Sequence, residues 1–307
     1  MQALFRATLP LTLQASDDLV GCAESSTIGE LRAQYEGRRA LVVGGTRGIG
    51  LAITDALMSA GASVVTVGRS AQPPSGVSAD LSTVSGCKDL VKRIAQMACQ
   101  FTYVVFTVGA WPNFASPLTS DGVDGVVALD LVARHLVLNG LFETGCLEEG
   151  CRVMCVLASG QRLPSSLINR ESVCSFLEGS APNKAGELPP VRSRLDQMTN
   201  MLSTAVLHDA WLQHAAHVLP PSVRLLSTFP GLLVSDLPQH TLYAWALPLF
   251  KLAMLPVADS ADTMGLQHAT ILAAPNVERR RVSFWAAPLL QVRTNLPPKS
   301  KPHPGPP

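Results

Sequence analysis

Three glycines, Gly44, Gly48 and Gly50, punctuate the stretch ALVVGGTRGIG at residues 40–50. The apolar run before them reads as a strand and LAITDALMSAG (51–61) after them as a helix. In that setting Gly44 permits a tight turn and Gly48 lets the backbone approach a pyrophosphate. Gly50 brings helix and strand close, and the helix N-terminus offers free N–H groups and a partial positive charge. Position between strand and helix distinguishes such a loop from an ordinary glycine-rich turn.

Two cations accompany the loop. An acid at the tip of the second strand binds the ribose 2′-hydroxyl of NAD, but here the tip carries Arg69, and Arg47 lies within the glycine turn. Guanidinium groups chelate phosphate oxygens through paired N–H bonds, so the pair suits a 2′-phosphate and favours NADP(H) over NAD(H). The plainer alternative is two solvated arginines near a helix start.

The elements that must position these groups alternate along the chain. Strands are expected at 40–45, 62–68, 103–109, 152–159 and 223–229, and helices at 51–61, 88–98, 123–145 and 193–216. Short Val-rich runs between longer helices imply βαβ units and a parallel sheet covered on both faces, a doubly wound α/β fold of the Rossmann kind. Upstream, Thr27 to Glu30 fits a capping box and Gly37 a helix stop, so a short helix should lie against the sheet. This divides the chain into an N-terminal extension (1–37), one dinucleotide-binding domain (38–293) and a Pro-rich tail (294–307).

Composition limits the partners. The 307 residues are 47% apolar and carry a formal charge of +1 without runs of like charge, which leaves no electrostatic footprint for nucleic acid. Seven cysteines without a CxxC pair read as reduced thiols, with Cys151 and Cys155 packing on one strand. The nearest approach to a membrane span, 241–258, is interrupted by Pro248, Lys251 and Pro256, so no span is expected. The opening MQALFRATLPLTLQAS has one Arg and no acid, similar to an organelle transit segment. That points to the mitochondrion, with the cytoplasm as the alternative.

The string VGGTRGIGLAI, with Gly44, Thr46, Arg47, Gly48, Ile49 and Gly50, resembles the short-chain dehydrogenase/reductase family. Other landmarks of the resemblance follow in order between about residues 38 and 285. Asp80-Leu81 is similar to the acid-aliphatic pair flanking adenine. Phe106 to Gly109 stands where the family has Asn-Asn-Ala-Gly and keeps only Gly109. Pro230-Gly231, then Ser235-Asp236-Leu237, resembles the Pro-Gly turn and the Thr-Asp-Leu that contacts the nicotinamide amide.

The resemblance also implies a proton-transfer set: a Tyr, a Lys four residues later, a Ser after the fifth strand and an Asn in the preceding helix. The tyrosines, Tyr35, Tyr103 and Tyr243, are followed at four residues by Arg39, Thr107 and Leu247, so no Tyr-x-x-x-Lys exists. Aligned on the helix pattern and Asn200, Ser193 takes the Tyr place and Gln197 the Lys place. Ala158 falls at the Ser place, with Ser159 one residue on, and Asp130 replaces the Asn. A Ser hydroxyl beside a neutral amide is a far weaker acid than a phenol.

The reading is therefore a non-catalytic NADP(H) binder, with no catalytic residue assigned, acting as a scaffold or accessory subunit that docks other proteins through 241–258 and the C-terminal tail. The alternative is an active NADP-dependent oxidoreductase for an apolar carbonyl or alcohol, recruiting Ser159, Arg192, Arg194, Cys174 or Glu178. A soluble NADP(H) sensor is a third possibility. His214 and His217 lack a third ligand and read as polar helix residues, with no metal expected.

Overall fold

Thr27 opens the first helix as the sequence predicts. Its hydroxyl accepts from the Glu30 N–H and the Glu30 carboxylate accepts from the Thr27 N–H, a complete capping box for α1 (Ile28–Tyr35). The computed structural model describes residues 26–113, 118–157, 194–230, 249, 260–275, 282–286 and 290–291, with side chains of 194–200, 202, 284–286 and 290–291 outside the description.

After α1 come β1 (Arg39–Val43), α2 (Gly48–Ser59), β2 (Ser63–Gly68), β3 (Gly76–Ser78), α3 (Val84–Gln96) and β4 (Phe101–Phe106). Then follow α4 (Gly125–Glu143), β5 (Leu147–Val156), α5 (Arg194–Val218), β6 (Arg224–Phe229), α6 (Ala261–Ala273), β7 (Val282–Ala286) and β8 (Leu290–Gln291). The strands lie in the order β3-β2-β1-β4-β5-β6-β7-β8, parallel except for β8 against β7. Strand order reverses between β1 and β4, the place where doubly wound sheets open a crevice for ligand.

Alternation along the strands supplies two apolar layers. Leu41 and Val43 of β1 join Leu90 of α3, Leu138 of α4 and Leu212 of α5 on one face. Ala40 and Val42 join Tyr35 of α1, Ile53 of α2 and Leu272 of α6 on the other. The short first helix thus lies against the sheet, its Tyr35 hydroxyl donating to the Ala269 carbonyl at 2.6 Å.

Several boundaries differ from the sequence reading. β1 and β4 stop at Val43 and Phe106, because Gly44 and Thr107 leave the sheet to build the crevice. β5 runs earlier than 152–159 and ends at Val156, and α3 starts at Val84 rather than 88, capped by Thr83. β3, α6, β7 and β8 had no counterpart in the reading. One helix, Gly125–Glu143, is long and apolar enough to cross a membrane. Its Val137, Leu138 and Leu141 are instead fully buried in the core.

Candidate functional site

The crevice is built from the glycine turn outward. Gly44 has φ +101°, and a Cβ there would stand 2.5 Å from the Val108 nitrogen and 2.6 Å from the Thr107 hydroxyl oxygen. A Cβ on Gly50 would collide with the Gly44 carbonyl oxygen. The turn is therefore wedged between β1 and the end of β4 and tolerates no side chain at either place. Gly48, at φ +56°, has open space where its Cβ would be, which leaves the backbone accessible to a ligand. The N-cap of α2 is Arg47, whose side chain makes no capping bond, so the first-turn N–H groups have no side-chain acceptor.

Towards β2, Thr46 packs over the strand end, where a Gly68 Cβ would meet its hydroxyl oxygen at 2.7 Å. Arg47 and Arg69 each follow one residue beyond this contact, and both are exposed. No acid stands at this tip. Leu81 is buried at the end of the β3 segment, and the exposed Asp80 turns Oδ1 onto the Ser82 N–H and hydroxyl at 3.0 and 2.8 Å. The start of α3 beside them is held by Asp121, whose Oδ2 accepts from the Val84 N–H at 2.7 Å.

On the other side of β1 the wall is made by residues 107–110. Thr107 and Val108 donate their N–H groups to the Val43 carbonyl. A Cβ on Gly109 would lie 2.7 Å from Asp130 Oδ1, which accepts from the Ala110 N–H at 3.1 Å. Asp130 sits in a π-helical turn, Ala128–Val132, which rotates it inward to 3% exposure. Burial pushes its carboxyl up to about 7, opposed by the Arg134 guanidinium and the Ala110 N–H. Arg134, one turn on and fully buried, donates Nη2 to the Val108 carbonyl at 2.6 Å and the Val156 carbonyl at 2.9 Å. It ties the end of β4 to the end of β5.

Thr107 and Arg134 were missed in the sequence reading. A charge pair at i and i+4 inside the apolar helix 123–145 was the available signal for Arg134. Pro230 follows β6 and is half-buried. Gly231, Ser235, Ala158, Ser159, Cys174, Glu178, Arg192, Ser193 and Tyr243 lie outside the described residues, as does 241–258 apart from the exposed Leu249. Gln197 and Arg194 are placed on α5 by backbone alone.

The remaining candidates hold the fold. Tyr35 and Tyr103 pack ring to ring with centroids 4.8 Å apart, and the Tyr103 hydroxyl donates to the Gln34 carbonyl. Burial raises both phenols, Tyr35 well above its ordinary value. Neither serves as an acid beside the glycine turn. Cys151 and Cys155 are fully buried in β5, and burial raises both thiols, Cys155 to about 11. His214 and His217 are exposed on α5.

The family model for short chain dehydrogenase matches residues 38–144, the segment that carries the glycine turn, the β2 tip and the Asp130–Arg134 pair. Over that third of the chain the protein is similar to the short chain dehydrogenase family. Similar proteins include an uncharacterised oxidoreductase of Saccharomyces cerevisiae, 29% identical over 104 residues (32% of this chain, 34% of that one). A rhamnolipids biosynthesis 3-oxoacyl-[acyl-carrier-protein] reductase of Pseudomonas aeruginosa is 26% identical over 180 residues (54% and 66%). The chain thus matches less than two thirds of either relative's length. Among solved structures, a 3-oxoacyl (acyl-carrier-protein) reductase from Agrobacterium tumefaciens with NADP bound shares the fold at a TM-score of 0.55, with 20% identity over 82% of this chain and 94% of that one. A short-chain dehydrogenase fold implies a nicotinamide dinucleotide, and the cradle at Gly44–Gly50 fits one.

Proposed function

We propose that this protein binds NADP(H) and does not catalyse hydride transfer with the usual proton relay, serving as a scaffold or accessory subunit. One observation carries the nucleotide half of the reading. A glycine turn closed to side chains meets an uncapped helix N-terminus, with exposed Arg47 and Arg69 at the corner where an NAD-selective site places an acid. Gly44, Thr46, Gly48, Ile49 and Gly50 would hold the pyrophosphate, and Arg47 and Arg69 the 2′-phosphate. Asp80 and Leu81 would flank adenine, while Gly109, Pro230, Gly231 and Ser235 would border the nicotinamide half.

Such a dinucleotide supplies hydride chemistry when bound. What this chain lacks is the Tyr-x-x-x-Lys that would move the accompanying proton, and its described tyrosines are engaged elsewhere in the fold. General acid–base catalysis contributes roughly 10²–10⁴-fold, so without it positioning alone leaves no more than a trickle of hydride transfer.

A second reading, an active reductase of an apolar carbonyl, draws support from the 3-oxoacyl-[acyl-carrier-protein] reductase relative. Fluorescence titration with NADPH and NADH, followed by turnover assays on ketones and 3-oxoacyl thioesters, separates the two. Tight NADPH binding without turnover is the expected result. Steady NADPH oxidation, abolished by one substitution in the crevice, would establish the second reading.

A further inference from the structure

The segment that leaves β4 is anchored at its two ends by different means. Its beginning, Thr107 and Val108, hangs on the Val43 carbonyl through backbone N–H groups. Its continuation has no strand to lean on. There the Val108 carbonyl is taken by Arg134 Nη2 at 2.6 Å and the Ala110 N–H by Asp130 Oδ1 at 3.1 Å, both from α4. Gly109 lies between them with its missing Cβ directed at the Asp130 carboxylate.

We propose that Asp130 and Arg134 are positioning residues for the nicotinamide half of a bound dinucleotide, acting through Val108, Gly109 and Ala110. This rests on the nucleotide-binding reading above. In a doubly wound sheet the adenosine half lies over β1–β3 and the other half over β4 and beyond, so this segment walls only the latter. Both side chains are buried: Asp130 is 3% exposed and Arg134 0%, and neither faces solvent as a ligand contact would. Their burial as a pair is balanced by mutual attraction and by bonds to backbone carbonyls and an N–H, while Arg134 Nε and Nη1 have no partner. Other groups that act on the pair are Asp124 at the α4 N-cap, Cys155 on β5 and His208 on α5. A carboxyl held near neutrality in charge can accept from Ala110 whether ionised or not, so an amide should replace it.

The test compares two probes on the full chain: NADPH, and adenosine 2′,5′-bisphosphate, which fills only the adenosine half. Asp130→Leu is expected to weaken NADPH about tenfold, within the usual range of coupling between neighbouring groups, and to leave the bisphosphate within about twofold. Asp130→Asn, which keeps the acceptor, should restore NADPH affinity. Should Asp130→Leu fail to fold, Arg134→Lys, which keeps the buried charge but is too short to hold the Val108 and Val156 carbonyls together, should give the same split. Equal weakening of both probes, no weakening of either, or no rescue by Asn overturns the proposal. A wild-type protein that binds neither probe overturns the nucleotide-binding reading itself, a result distinct from binding that is insensitive to Asp130.

Discussion

The Thr46 side chain covers the α-carbon of Gly68, so closely that a methyl group on Gly68 would stand 2.7 Å from the Thr46 hydroxyl. The contact clamps the glycine turn to the end of β2 and brings the two chain positions just beyond it, Arg47 and Arg69, to one exposed corner. Hydrogen bonds to charged groups are worth roughly 1.5–3 kcal/mol each, or about 10- to 150-fold in affinity. Arg69→Asp should therefore weaken NADPH by at least about tenfold and improve NADH. Parallel titrations of both nucleotides read this directly, and an unchanged NADPH-to-NADH ratio would refute the 2′-phosphate assignment.

Gly50 has no room for a methyl group against the Gly44 carbonyl. Gly50→Ala must push α2 away from β1, and overpacking of this kind costs about 1–3 kcal/mol. Both the melting temperature and NADPH affinity should fall. Gly48→Ala meets no neighbour but keeps φ +56°, so it should affect binding through backbone strain with a smaller loss of stability.

Asp130 makes stability depend on pH in an uncommon direction. Its carboxyl is raised to about 7 by burial, above its value near 4 in the unfolded chain. The folded state then binds more protons between those values, so this contribution is present below about pH 4 and is lost as pH rises through about 7. The unfolding free energy of wild type relative to Asp130→Asn should fall by roughly 2–4 kcal/mol from pH 4 to pH 8 in urea titrations. A difference constant across that range would contradict the burial argument.

His208 and His268 act oppositely. Both are buried and lowered to about 4, chiefly by desolvation, while Asp209 and the Met264 carbonyl pull weakly the other way. Each contributes stability that is complete above about pH 6.5, the unfolded value, and lost as pH falls through about 4. Replacing either by Gln should flatten the acid limb of the stability curve by roughly 1–3 kcal/mol. Circular dichroism melts between pH 4 and pH 7 would show it.

The glycine turn, the capping box at Thr27 and the strands β1, β2, β4 and β6 were legible because each rests on local chemistry. A three-residue strand such as Gly76–Ser78 has too few residues to show a period, and only its pairing with Thr66–Gly68 makes it a strand. The start of α3 was misplaced because Val84-Ser85-Gly86 has weak helix propensity, and the Thr83 cap with the distant Asp121 carboxylate decides it. Arg134 was invisible for a further reason. Its role depends on a π turn that redirects α4 and on carbonyls 26 and 22 residues away along the chain.

Helix α1 precedes residue 38, where the match to the family begins, yet it is bolted to α6, more than 230 residues later: the Tyr35 hydroxyl reaches the Ala269 carbonyl and the Ser26 N–H reaches the Thr270 hydroxyl. Early and late parts of the polypeptide are thereby stapled across one helical layer. A chain started at residue 38 but otherwise complete would open an empty slot where Leu31 and Tyr35 had been, and would come out of the cell as aggregate rather than as a shortened domain.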